Sequence, residues 1–192
     1  MKLQIIVGST RPGRIGLAIA QWLDAIARDA GTFEVELVDI AEYELPLFDE
    51  PEHPRLGNYR NAPTIRWSAK IAEADAFFFV TPEYNHSLPA SLKNALDFLN
   101  AEWAGKPASI LSYGGMSGGI RAAQHLKLVL SVLRVVVVPQ AVAVPNVTAF
   151  RDADGAFLGS DTQRSEVLRA VAQLATWAQT LDAVRANTIA SK

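Results

Sequence analysis

The sequence predicts an α/β fold: a three-layer, doubly wound, five-stranded parallel sheet with strand order 2-1-3-4-5. Two observations and one general rule predict it. Five short apolar runs alternate with stretches of helical periodicity, so the order is β-α repeated five times. The first, third and fifth runs are nearly continuous in apolar residues, as strands covered on both faces are. Right-handed crossovers between such strands place helices on both faces of the sheet.

The apolar runs are Leu3–Val7, Phe33–Val38, Ala76–Val80, Ala108–Leu111 and Val135–Val138. The second alternates, with Phe33, Val35 and Leu37 on one side and Glu34 and Glu36 on the other, which suits an edge or half-covered strand. The first helix is marked by Ile15, Ala18, Ile19, Trp22, Leu23 and Ile26, spaced by three and four. Ala62 to Ala72 gives a second, with Pro63 in its first turn. Leu92, Leu96 and Leu99 mark a third, which begins at Ala90. Ala123, Leu126, Leu130 and Leu133 mark a fourth, and Val167, Val171, Leu174, Ala178 and Leu181 a fifth. Residues 40–62 hold three prolines and read as a long surface loop; 139–160 reads as a wandering segment that forms a hairpin around Asp152-Ala153-Asp154-Gly155. No repeat or linker divides the chain, so residues 1–192 are expected to be one domain. Five strands favour the flavodoxin-like order over a six-stranded dinucleotide fold.

Composition narrows the function. The formal charge is -2, from 18 basic and 20 acidic residues, which argues against a nucleic-acid or membrane-surface partner. There is no cysteine, so disulfides, thiolate catalysis and iron–sulfur ligation are excluded, and a reducing cytoplasm is the expected setting. No apolar stretch approaches bilayer-spanning length, and Met1 to Gly8 lacks the form of a signal peptide. No metal-ligand pattern and no Gly-x-Ser-x-Gly nucleophile motif is present.

Three loops carry the chemistry. Gly8-Ser9-Thr10-Arg11-Pro12-Gly13-Arg14-Ile15-Gly16 joins the first strand to the first helix. Glycine, two hydroxyls, two guanidiniums and a helix start coincide there, which points to a phosphate site rather than a solvated turn. It is neither a Walker A loop nor a dinucleotide fingerprint. Thr81-Pro82-Glu83-Tyr84-Asn85-His86-Ser87-Leu88-Pro89 follows the third strand. Tyr84 can stack on a planar ring, and the backbone of Glu83, Tyr84 and Asn85 can pair with ring heteroatoms. Ser87 and Pro89 are read as structural, Ser87 as a cap on the next helix. Glu83 is read as a structural ion pair in preference to a catalytic acid. Ser112-Tyr113-Gly114-Gly115-Met116-Ser117-Gly118-Gly119 follows the fourth strand, and its glycines allow close backbone approach to a ligand. In the order 2-1-3-4-5 these loops flank the switch point, where ligands of such sheets bind.

With these residues in place, the chain resembles the NADPH-dependent FMN reductase family of flavodoxin-like quinone, chromate and azo-dye reductases. Thr-Pro-Glu-Tyr-Asn at 81–85 followed by Leu-Lys-Asn-Ala-Leu-Asp at 92–97 carries the resemblance, with Gly-Ser-x-Arg at 8–11 and Gly-Gly at 118–119 in support. The likeness extends over residues 2–185. It implies that Ser9, Arg11, Arg14 and the backbone at Ile15 and Gly16 hold the FMN phosphate. Arg14 stands where the family often has a small hydroxyl residue. Pro82, Glu83, Tyr84 and Asn85 would hold the isoalloxazine ring, and Ser112, Tyr113, Gly114 and Gly115 its pyrimidine side. It further implies a homodimer or homotetramer.

The expected function is that of an FMN-dependent NAD(P)H oxidoreductase. Hydride would pass from NAD(P)H to flavin N5, and electrons then to a quinone, flavin, azo compound or similar small acceptor. The cofactor carries the chemistry, so no catalytic side chain is expected; Tyr84 would shape the acceptor pocket. The alternatives are a flavodoxin-type electron carrier without NAD(P)H activity and a flavin-free interaction protein on the same fold.

Overall fold

The computed structural model describes the backbone of residues 1–190 and the side chains of residues 1–182. The expected domain over 1–192 thus runs two residues beyond those described. Strands β1 (Lys2–Val7), β2 (Glu34–Asp39), β3 (Ala76–Pro82) and β4 (Pro107–Tyr113) lie in one parallel sheet in the order β2-β1-β3-β4. Ile5 stands opposite Leu37 on one side and Phe78 on the other. Every residue of β3 and β4 is buried, which is why their sequences do not alternate. The alternating β2 is an edge strand, as its pattern indicated.

The fifth position departs from a simple strand. The run 135–138 contributes only β5 (Val136–Val137), which pairs with the start of β4 at Pro107 and Ala108. The end of β4 pairs instead with β6 (Val142–Val144), through Leu111, Ser112 and Tyr113. The break falls at Pro139, which has no N–H to give to a ladder. Gln140 bridges the gap: its carbonyl accepts from Ser109 Oγ at 2.8 Å. Residues 142–144 were expected to belong to a wandering segment and are strand. The hairpin further on is present, closed by the Arg151–Phe157 bridge, with Asp152 Oδ1 accepting from the N–H groups of Asp154 and Ala156.

Helices cover both faces. α1 (Gly16–Asp29) and α5 (Asp161–Ala190) bury Ile19, Leu23, Val167, Val171 and Leu174 against one. α2 (Ala62–Ala72), α3 (Ala90–Asp97) and α4 (Ile120–Val132) bury Trp67, Leu92, Leu96, Leu126 and Leu130 against the other. The proline-rich loop after β2 is tied down. Asn94 of α3 accepts from Phe48 N–H at 2.9 Å and donates to the Pro46 carbonyl at 2.6 Å.

Trp67 is the hub of the second face. It is fully buried, its Nε1–H donates to the Ala95 carbonyl at 2.9 Å, and its ring meets Tyr43 and Trp103 edge-on. The indole therefore locks α2 to α3, the helix that follows the Tyr84 loop. Trp67→Ala is expected to cost about 3–5 kcal/mol in urea unfolding. Trp67→Phe, which keeps a ring but leaves the Ala95 carbonyl unpaired, is expected to cost less than the alanine change. Equal losses would show that the retained ring adds nothing at this joint and that the hydrogen bond carries the loss.

Candidate functional site

The three loops meet at the carboxyl edge of the sheet. Gly8 N–H donates to the Val80 carbonyl at 2.9 Å, joining the first loop to the end of β3. Ser91 of α3 donates to the Gly8 carbonyl at 2.9 Å, so the helix after the second loop also holds the first. Glu83 N–H donates to the Tyr113 carbonyl at 3.2 Å, joining the second loop to the third. Gly114 N–H donates to the Val144 carbonyl at 3.2 Å, fastening the third to β6.

In the first loop, Ser9 is fully buried and Arg11 is exposed. Ser9 Oγ lies 2.6 Å from the Tyr84 hydroxyl, a hydrogen bond that ties the first loop to the second. Arg14 is turned inward and pairs with Asp39, the last residue of β2. Its Nε is buried and has no partner among the described residues. α1 begins at Gly16 behind Ile15, with no side-chain cap and no acidic residue in its first turn. Its positive end is thus left uncompensated toward the loop.

Tyr113, expected on the pyrimidine side, brings its hydroxyl close to Gly16 at the end of the first loop. A Cβ on Gly16 would lie 2.5 Å from the Tyr113 hydroxyl, so only glycine admits that approach. Burial pushes the Tyr113 phenol up and Tyr84 adds to this, while Arg14 and Arg11 pull it the other way. Tyr113, Tyr84 and Ser9 bring hydroxyls from three loops toward the start of α1.

The second loop is a two-residue turn. Tyr84 N–H donates to the Ser87 carbonyl at 2.9 Å and Ser87 N–H to the Tyr84 carbonyl at 3.0 Å. Asn85 and His86 between them take φ of 50° and 67°, the left-handed pair such a turn demands. Tyr84 keeps 37 % of its surface exposed, and Pro82 is buried at the strand end. The expected Ser87 cap is absent. α3 begins at Ala90 with Pro89 at its N-cap, so Ser87 lies two residues too early. Its Oγ meets His125 Nδ1 of α4 at 3.0 Å.

Glu83 is engaged as an ion pair. Its carboxylate accepts from Arg121 Nε at 2.7 Å, from Arg121 N–H at 3.2 Å and from Ser117 Oγ at 3.2 Å. Burial alone would raise this carboxyl; Arg121 and Ser117 outweigh it and hold it below the ordinary range. In the third loop, Ser112 Oγ donates to the Gly118 carbonyl at 2.9 Å. Gly119 takes φ 79°, with the Tyr113 backbone so close that a Cβ would sit 2.7 Å from its nitrogen. These two glycines serve the loop's own folding, whereas Gly115 has open space where a side chain would stand. Among the described residues, no cluster of three His, Cys, Asp or Glu is placed to hold a metal.

Asp39, Ser91 and Arg121 were not foreseen at the site. Asp39 carried a usable signal, since it ends the strand beside β1. The others face the site only because of packing between distant elements.

Comparison with known proteins bears on this geometry. Residues 1–149 match the family model described as NADPH-dependent FMN reductase. The chain is similar to an NAD(P)H-dependent FMN reductase of Schizosaccharomyces pombe, 44% identical over 153 residues, covering 79% of this chain and 74% of that protein. It is similar to a 2-hydroxy-1,4-benzoquinone reductase of a Burkholderia species, 31% identical over 171 residues, covering 85% and 89%. Among solved structures, it resembles the flavoenzyme NAD(P)H:(acceptor) oxidoreductase FerB of Paracoccus denitrificans, with TM-score 0.74 and 25% identity, covering 93% and 97%.

The Glu83–Arg121 contact makes stability pH-dependent in a defined direction. A carboxyl held below its ordinary value of 4.5 stabilises fully above that pH and loses its contribution as pH falls below it. Half of the Arg121 side chain is exposed, so Glu83→Gln is expected to cost about 1–2 kcal/mol at pH 7. Urea titrations at pH 7 and pH 3 should show the gap between wild type and variant narrowing at the lower pH. A gap that is independent of pH would sink the assignment.

Proposed function

Because the chain belongs to the NADPH-dependent FMN reductase family, we propose that it is an FMN-dependent NAD(P)H oxidoreductase that reduces a quinone, flavin, azo compound or similar small acceptor. One observation carries the reading beyond family membership: the first loop gathers a buried hydroxyl, an exposed guanidinium and a buried, partnerless Arg14 Nε at an uncapped helix start. That donor set suits a phosphate monoester. The residues present therefore fit FMN.

Ser9, Arg11, Arg14 and the backbone at Ile15 and Gly16 would hold the phosphate, with the Tyr113 hydroxyl beside them. Pro82, Glu83, Tyr84 and Asn85 would take the isoalloxazine ring through backbone groups and the Tyr84 face. Ser112, Tyr113, Gly114 and Gly115 would line the remaining rim. When bound, FMN supplies the electron chemistry between NAD(P)H and the acceptor. The protein's part is to fix the ring and exclude misalignment. The stiff Asn85–His86 turn fixes the height of the Tyr84 ring, and that ring shapes the acceptor pocket. Glu83 holds the second and third loops together through Arg121, which leaves it no role as an acid. The whole chain, 1–192, is read as one FMN-binding domain. No helix among the described residues is long and apolar enough to cross a membrane. A cysteine-free chain suits the reducing cytoplasm to which we assign it. Leu128 and Val132 of α4 are 70 % and 80 % exposed, and we assign this apolar face to a second copy in a homodimer or homotetramer.

Purified protein should turn yellow with FMN and oxidise NAD(P)H when a quinone is present. A colourless protein that ignores FMN would overturn the proposal, and a yellow one inert to NAD(P)H across several acceptors would make it a carrier. Arg11→Ala should weaken FMN binding by about 1.5–3 kcal/mol and riboflavin binding much less, since riboflavin lacks the phosphate. Equal losses would remove Arg11 from the phosphate site.

A further inference from the structure

We propose that Asp39 is a positioning residue for the phosphate end of the flavin site, acting through Arg14. This rests on the FMN reading above. Asp39 closes β2 and is 4 % exposed, so its carboxylate is fixed by the sheet rather than by a loop. Its Oδ1 accepts from Ala41 N–H at 3.0 Å, which pins the carboxylate's orientation. Its Oδ2 takes Arg14 Nη2. One nitrogen of the guanidinium is thus engaged, and the remaining donors include the buried Nε that no described group accepts from.

A guanidinium offers five N–H donors in a rigid plane, so anchoring one nitrogen limits the directions open to the others. Arg14 sits only two residues before the start of α1 and close enough to the Tyr113 hydroxyl to act on it electrostatically. Without Asp39, a long flexible side chain at this position would gain more from water than from the loop. The inward direction of Arg14 is therefore a consequence of the strand next door. Arg11, exposed and without a described side-chain partner, lacks such a guide. The two cations then differ in kind: Arg11 supplies charge, while Arg14 supplies a directed donor. Asp39's own charge is spent on Arg14 and on the Ala41 N–H, so its orienting effect outweighs its repulsion of a phosphate.

The test measures dissociation constants of FMN and riboflavin by flavin fluorescence quenching for wild type, Asp39→Asn, Asp39→Ala, Arg14→Ala and the double variant Arg14→Ala/Asp39→Asn. Both Asp39 variants are expected to bind FMN about tenfold more weakly while riboflavin changes by less than about twofold. In the Arg14→Ala background, Asp39→Asn should leave the FMN-to-riboflavin ratio unchanged, because its effect passes through Arg14. Thermal melts run alongside identify a variant that is merely unfolded, and the isosteric Asn change is the one least able to unfold it. Equal losses for both flavins, an unchanged FMN constant, tighter FMN binding in Asp39→Asn, or a full Asp39 effect persisting without Arg14 would each overturn the inference. If wild type binds neither flavin, the FMN reading fails and this inference falls with it. If wild type binds FMN and the variants do not discriminate, only this inference fails.

Discussion

The hydrogen bond from Gly8 N–H to the Val80 carbonyl is the joint on which the rest of the site depends. It continues the β1–β3 ladder one step past Val7, so the first loop leaves the sheet already fastened to the strand that carries the second. From that point the chain diverges. α1 turns to one face of the sheet and α3 to the other. In open sheets of this order such divergence opens a crevice at the carboxyl edge. Ser91 and Tyr84 then reach back across it to Gly8 and Ser9, so the two lips are cross-linked as well as adjacent.

Charge is distributed at this edge with little left unpaired inside. Glu83 meets Arg121, and Asp39 meets Arg14; each acid is buried and each base is partly open. An acid buried alone would be costly, so each pairing is a condition for the residue's being there at all. The acids thereby become parts of the scaffold. What remains outward-facing is positive at Arg11, near the start of α1, and aromatic at Tyr84. A flavin mononucleotide has the same division between its phosphate and its ring.

Much of this was legible in the sequence, and for physical reasons. Buried parallel strands require unbroken apolar runs, and helices packed on a sheet require apolar residues at three- and four-residue spacing. Both patterns placed β1 to β4 and all five helices. The three loops were legible because Gly, Pro and hydroxyl residues cluster where strands end. The division of the fifth strand was not, because Val142 to Val144 is too short to show a pattern. The partner of Glu83 was not, because Arg121 is 38 residues away and reaches it only through the packing of α4. The approach of Tyr113 to Gly16 was not, because a tyrosine is long enough to reach the neighbouring loop. Ser87 showed how a plausible local role yields to position: with the helix starting at Ala90, it could not cap.

The broken fifth strand bears on how the protein behaves in a crowd. An open sheet ends in two borders, and each is a template on which another extended chain can be added. Here one border is carried by stretches of two and three residues, interrupted at a proline, so no unbroken row of backbone donors is long enough to recruit a neighbour. The other carries Glu34 and Glu36 with Lys2 and Lys70 close by, a charged fringe that a second hydrophobic strand would have to desolvate. A chain that is half apolar by composition thereby keeps its most adhesive backbone away from its neighbours. The irregularity that the strand pattern hid thereby removes the long bare edge that edge-to-edge pairing requires.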